Sequence, residues 1–217
     1  MLNIMIIIIA TILLIGLLHY ERKENLRGLV PTKTLLSSLF IIAILVQPHH
    51  INRYYQFLLA GLIFCLCGDI CLAFPREKMF LVGLISFLLG HVFYIFGFFH
   101  VANPGAWSWA GSIIIIFVSS GIYFRLKPHL GSMNVPVLLY IVVIVVMLSG
   151  AWSVFIDSGL TMSGRIMVIG GALLFYISDL FVARDRFIKK EFFNRFIGLP
   201  LYYAGQFILA FSVGVLQ

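Results

Sequence analysis

The sequence predicts an all-α fold, a polytopic membrane bundle of eight transmembrane helices forming one integral membrane domain over residues 1–217. Three observations predict it. Mean hydropathy is +1.08. Of the residues, 62% are hydrophobic and only 11% charged, against ~25% charged in a soluble domain. Apolar runs also recur near the ~20 residues that a ~30 Å hydrocarbon core requires. No connection is long enough for a soluble domain. Helices are expected rather than strands, because an open sheet edge has no hydrogen-bond partners in lipid.

The first run, Leu2–Leu18, has no basic stretch before it and no small-residue cleavage site, and basic residues follow it. It reads as an uncleaved span rather than a signal peptide. The second run, Thr32–Val46, is short. The third and fourth are Tyr54–Ala73 and Met79–Phe99. The fifth, Trp107–Phe124, is interrupted by Ser119, Ser120 and Gly121. The sixth and seventh are Val135–Phe155 and Arg165–Ala183, and the eighth is Gly198–Leu216. Pro136 and Pro200 sit at span starts.

Basic residues set the orientation. Arg22, Lys23, Arg27 and Lys33 lie in or beside the first connection, and Arg76 and Lys78 in the third. Arg125 and Lys127 lie in the fifth, and Arg184, Arg186, Lys189, Lys190 and Arg195 in the seventh. Thirteen of the 15 Lys and Arg residues thus share one side, leaving Arg53 and Arg165 on the other. By the positive-inside rule that side is cytoplasmic, and both termini are outside. Trp107, Trp109 and Trp152 then fall toward the outer face, as an interfacial aromatic belt requires. The net charge of +7 is a cytoplasmic rim facing anionic lipid head groups, and it needs no nucleic acid. Cys65, Cys67 and Cys71 share the third span and read as packing residues.

Two acids stand out within apolar runs, Asp69 and Asp179. A carboxylate at a helix centre costs roughly 2.5–3.5 kcal/mol on the insertion scale. Each has a glycine eight residues before it (Gly61, Gly171), a small residue immediately before it (Gly68, Ser178) and an alanine four after it (Ala73, Ala183). These are the third and seventh spans, equivalent places in two halves, 1–100 and 101–217. Parallel repeats about an axis along the membrane normal produce such a match, and so does coincidence. Small residues flank polar ones again at Gly90-His91 and Gly205-Gln206. Small faces let helices approach closely in lipid. Packing alone, with Asp69 and Asp179 paired to Lys33 or Arg184, is one reading; a substrate, ion or proton path is the other.

Two carboxylates on one cavity can divide labour, one holding a proton as acid and one staying ionised to hold positive charge. Chemistry through an oxocarbenium-like species uses such a pair. His91 and Tyr94 in the fourth span, with Tyr202, Tyr203 and Gln206 in the eighth, are candidates to orient water or bond an ether oxygen. For His91 a helix–helix hydrogen bond is the alternative. No metal is expected: a zinc site wants about three protein ligands, and the other histidines, His19, His49, His50, His100 and His129, fall in connecting regions. No other cofactor is expected either, since no nucleotide-binding glycine loop, CxxC or HExxH is present.

Four segments, in this order, resemble the YhhN-like lysoplasmalogenases: GDICLAF (Gly68–Phe74), Phe87-Leu-Leu-Gly-His91 with Tyr94, GALLFYISDLFVARDRF (Gly171–Phe187) and LYYAGQF (Leu201–Phe207). The resemblance runs from the second span onward. It departs where members of that family often have Lys-Pro entering the second helix; here the order is Pro31-Thr32-Lys33. The resemblance implies a cell-membrane hydrolase, of the inner membrane in a bacterium, that cleaves the vinyl-ether bond of a lysoplasmalogen. The products would be a fatty aldehyde and a glycerophosphoethanolamine or glycerophosphocholine. Asp69 and Asp179 would be catalytic, with His91, Tyr94, Tyr202, Tyr203, Gln206 and Lys33 binding or supporting. A lysophospholipid would enter laterally, its phosphate near Lys33, Arg76, Lys78 or Arg184. A proton-coupled transporter using the paired aspartates, or a structural or lipid-sensing protein, is the competing expectation. The oligomeric state is not legible.

Overall fold

The computed structural model describes residues 1–102 and 104–217. Eight long helices follow one another: α1 (Leu2–Arg22), α2 (Leu26–Leu45), α3 (Asn52–Leu72), α4 (Glu77–Val101), α5 (Ala106–Leu126), α6 (Asn134–Ile156), α7 (Met162–Ala183) and α8 (Phe192–Ser212). Two short 3-10 turns join α5 to α6, and a π-helical turn, Arg184–Ile188, extends α7. Seven of the eight are long and apolar enough to cross a membrane. The exception, α8, spans 21 residues but carries Asn194, Tyr202, Tyr203 and Gln206, all buried in the bundle. The chain is a multi-pass membrane protein.

Two boundaries depart from the sequence expectation, for physical reasons. Helix α2 begins at Leu26, not Thr32, and runs through Pro31. That proline is exposed in the second turn, so the hydrogen bond it forfeits lies near a helix end where water can replace it. Lys33, at the edge of the expected run, thereby stands two turns inside the helix. Helix α8 begins at Phe192, not Gly198, which puts Arg195 and Pro200 inside it. Its polar first turn is helical because Asp185 answers it: the Asn194 amide donates to Asp185 Oδ1 at 3.2 Å, and Arg195 Nη2 lies 3.0 Å from Asp185 Oδ2. At the other end α8 stops at Ser212, and Thr161 of the α6–α7 connection bonds the Val215 and Gln217 carbonyls. Helix α5 continues through Ser119–Gly121 without a break. His19 and His100 close α1 and α4 rather than lying in connections.

Six helices close a ring in the order α2, α3, α4, α6, α7, α8 and back to α2. Helix α1 packs outside it on α2 and α8, and α5 outside it on α6. Within the ring, α2–α4 and α6–α8 follow one another in the same order, whereas α1 packs on α8 and α5 has no matching packing on α4 among the described residues. Between the ring helices lies the core, with Phe40, Leu58, Tyr94, Phe98, Met147, Phe175 and Leu209 fully buried. Ile8, Ile12 and Ile15 of α1 and Ile113, Ile114 and Phe117 of α5 face outward; lipid is the solvent for such a surface.

Tightest packing occurs in the hairpins α3–α4 and α7–α8. A Cβ added to Gly90 would lie 3.1 Å from the Gly61 carbonyl oxygen, and one on Gly205 would lie 2.8 Å from that of Gly171. Seven residues further along each hairpin, Gly83 meets the Gly68 carbonyl and Gly198 that of Ser178. Lipid tails supply no hydrophobic force between helices, so such backbone contact is what holds them. The glycines that precede each Asp thus fix the depth at which its hairpin locks.

Gly205→Ala, forced against backbone on the facing helix, is expected to destabilise the fold by about 1–3 kcal/mol. Gly170→Ala, where an added Cβ meets nothing within 4 Å, should hold or slightly raise stability. Thermal unfolding of both in detergent separates close packing from generic helix effects.

Candidate functional site

Lys33 and Ser37 stand one turn apart on α2 and so share a face. That face meets the last turn of α3, which carries Asp69. Lys33 Nζ lies 3.3 Å from Asp69 Oδ1, both side chains being almost wholly buried, at 3% and 2% exposure. Asp69 Oδ2 accepts from Ser37 Oγ at 2.6 Å and from Tyr202 OH, on α8, at 2.7 Å. Ser37 spends its only hydrogen on the carboxylate. Tyr203 OH, 3.1 Å from Ser37 Oγ, must therefore be the donor of that second contact. Asp69 is held by one cation and two hydroxyls.

Asp179 has a different setting. Its Oδ2 accepts from Tyr140 OH of α6 at 2.8 Å. His91 Nε2, on α4, approaches the same oxygen at 3.7 Å, outside hydrogen-bond range. No lysine or arginine pairs with Asp179 among the described residues. Arg184 turns away to Asn194 and, at 3.1 Å, to Glu191. The Glu191 carboxyl, at the rim before α8, is held below the usual range chiefly by its hydrogen bond from Lys189.

Both aspartates line one hollow inside the ring, with about 100 Å³ of free volume. Lys33, Tyr140, Ser178 and Tyr202 share its polar wall; Ile122, Leu126 and Ile144 are on its apolar wall. Asn194 and Arg195 also reach it.

The sequence-predicted residues do not all gather there. Lys33 does, though as the buried partner of Asp69 rather than a rim cation. Tyr202 does, bonded to a carboxylate. Tyr203 lies behind the wall on Ser37. Tyr94 OH donates to Gln206 Oε1 at 2.7 Å, and this pair sits in the core apart from the hollow, leaving Gln206 Nε2 without a partner among the described residues. His91 lies behind Asp179. Sequence reasoning missed Ser37, Tyr140, Asn194 and Asp185. Ser37 was findable as the hydroxyl one turn from Lys33 within the expected second run. Tyr140 is a single phenol in an apolar run and carries no signal. Among the described residues no three His, Cys, Asp or Glu side chains converge as metal ligands would.

The YhhN family profile matches residues 29–213, which include every residue of this site. The chain belongs to the YhhN family. Lysoplasmalogenase TMEM86B of Homo sapiens is 30% identical over 162 residues, covering 73% of this chain and 64% of that protein. Lysoplasmalogenase TMEM86A of Bos taurus is 28% identical over 159 residues, 70% of this chain and 62% of that protein. The rat TMEM86B lysoplasmalogenase is 29% identical over 165 residues, again 73% of this chain and 62% of the other. The chain thus spans just under two thirds of the length of these curated YhhN relatives. No solved structure matches it.

Removing Lys33 leaves a buried carboxylate without its cation. Lys33→Met should cost about 3–5 kcal/mol of stability, and adding Asp69→Asn should recover part of the loss. Equal melting temperatures for the single and double variants in detergent would contradict the pairing.

Proposed function

We propose that this protein is a lysoplasmalogenase-like hydrolase that cleaves the vinyl-ether bond of single-chain alkenyl phospholipids. One observation carries the reading: two carboxyls in unlike settings line the same hollow, one beside a lysine and one without a cation. The curated relatives of the family bear the same activity in their names.

A vinyl ether is hydrolysed by protonation at its β-carbon, which leaves an oxocarbenium ion. Water adds to that cation, and the hemiacetal collapses to an aldehyde and an alcohol. Asp179, lacking a fixed positive partner, is the carboxyl suited to bring the proton. Asp69, anchored as an anion by Lys33, Ser37 and Tyr202, is suited to hold the developing cation in place without reorganising. The apolar wall from α5 and α6 suits the alkenyl chain, and its low dielectric strengthens both roles. The substrate class is a lysophospholipid. The reacting linkage sits between the two carboxyls, and the tail projects along the apolar wall between helices into the bilayer.

The same reading puts the chain in the cell membrane, the inner one in a bacterium, as a single domain of two four-helix halves. The basic connections face the cytoplasm and both termini face out, a reading that rests on the one-sided lysines and arginines.

Asp69→Asn and Asp179→Asn should each lower aldehyde release from a lysoplasmalogen by about 10²–10⁴-fold, the usual contribution of a positioned proton donor or counter-charge. The assay uses purified protein in detergent with no ion gradient. Near-normal turnover in either variant removes that residue from the mechanism. A protein that turns over no vinyl ether but drives gradient-dependent uptake in vesicles would be a transporter.

A further inference from the structure

His91 is wholly buried in α4, and it does not line the hollow, yet its ring is aimed at the carboxyl that does. Its Nδ1 lies 2.7 Å from the carbonyl oxygen of Phe87. A carbonyl only accepts, so Nδ1 carries a hydrogen, and in the neutral ring Nε2 presents a lone pair. That Nε2 has no hydrogen-bond partner among the described residues. Directly before it, at 3.7 Å, stands Asp179 Oδ2, which already accepts from Tyr140.

The surroundings do not screen this meeting. The Phe175 ring lies 4.5 Å from the His91 ring, centroid to centroid, and the Tyr140 ring 5.2 Å away edge-on. A nitrogen lone pair facing an ionised oxygen with no hydrogen between them is repulsive, and more so in a low dielectric. One proton makes the contact attractive, whichever of the two atoms holds it. The arrangement is incomplete without that proton.

We propose that His91 and Asp179 hold one proton in common, His91 Nε2 being the second seat for the proton that Asp179 delivers into the hollow. The proposal rests on the hydrolase reading above and assigns His91 as a positioning residue. In the cycle the proton leaves Asp179 for the β-carbon, where the alkene electron pair forms the new C–H bond. Water adds to the resulting cation and releases one proton, which returns to the His91–Asp179 pair. The hemiacetal then breaks its bond to the glycerol oxygen, which takes the hydroxyl proton. One water is consumed and no net proton.

Side-chain nitrogen NMR of protein labelled at histidine tests this directly in detergent micelles, with His91→Gln giving the assignment. In the unaltered protein Nε2 should report a bonded or shared proton, and in Asp179→Ala it should move to the value of a bare lone pair. A bare lone pair in both overturns the proposal. In turnover, His91→Gln should lower kcat by about 10²-fold, the low end for a positioned proton carrier, with KM within about twofold; an unchanged kcat overturns it too. If the unaltered protein cleaves no vinyl ether, the hydrolase reading falls, while the resonance comparison still decides whether the proton is shared.

Discussion

Charge at membrane depth must be answered from inside the bundle, and the Lys33–Asp69 pair is where this constraint bears hardest. Neither partner has water to fall back on. Lys33 is available only because α2 runs through Pro31, and Asp69 is within its reach only because α2 and α3 are neighbours in the ring. Tyr202 brings α8 to the same carboxylate from across the bundle. Three helices are therefore held at one point by groups that none of them can afford to expose. Buried pairs of this kind contribute less to net stability than to specifying one arrangement, since breaking one costs far more than forming it returns.

The ring order around the pair repeats from α2–α4 to α6–α8 and the chemistry on it does not. Asp69 draws its partners from α2 and α8, and Asp179 draws its own from the equivalent α6 and α4. Backbone-to-backbone glycine contacts lock both hairpins in the turns beside the two carboxyls. What differs is the identity of the answering groups: a lysine and two hydroxyls on one side, a phenol and an imidazole on the other. Two acids in one hollow are useful to a reaction only when their environments diverge.

Much of this was legible in the sequence, for reasons that can be named. Span number follows from apolar length, and both aspartates announce themselves because carboxylates are rare in such runs. The Gly61 and Gly171 matches do correspond to close helix contacts. What failed was what depends on tertiary partners. Hydropathy starts α2 and α8 too late, and so it misses that Asn194 is helical and satisfied by Asp185, while the Lys33–Asp69 pair is one of the readings the sequence leaves open. Tyr94 and Gln206 were grouped with the aspartates because they are polar in a membrane, whereas they satisfy each other in the core. Tyr140 had no periodic or compositional mark to give it away. A sequence displays which polar groups need a partner; only the fold chooses the partner.

Helix α5 contributes Ile122 and Leu126 to the hollow, yet it packs chiefly on α6 and leaves most of its surface to lipid. Every other helix bordering the hollow belongs to the closed ring and is gripped on two flanks. Parting α5 from the bundle therefore breaks the least packing of any wall. Beyond α6, the described residues hold α5 to the ring by the Ser119–Tyr176 hydrogen bond to α7, so the seam beside α5 is the least reinforced border of the hollow.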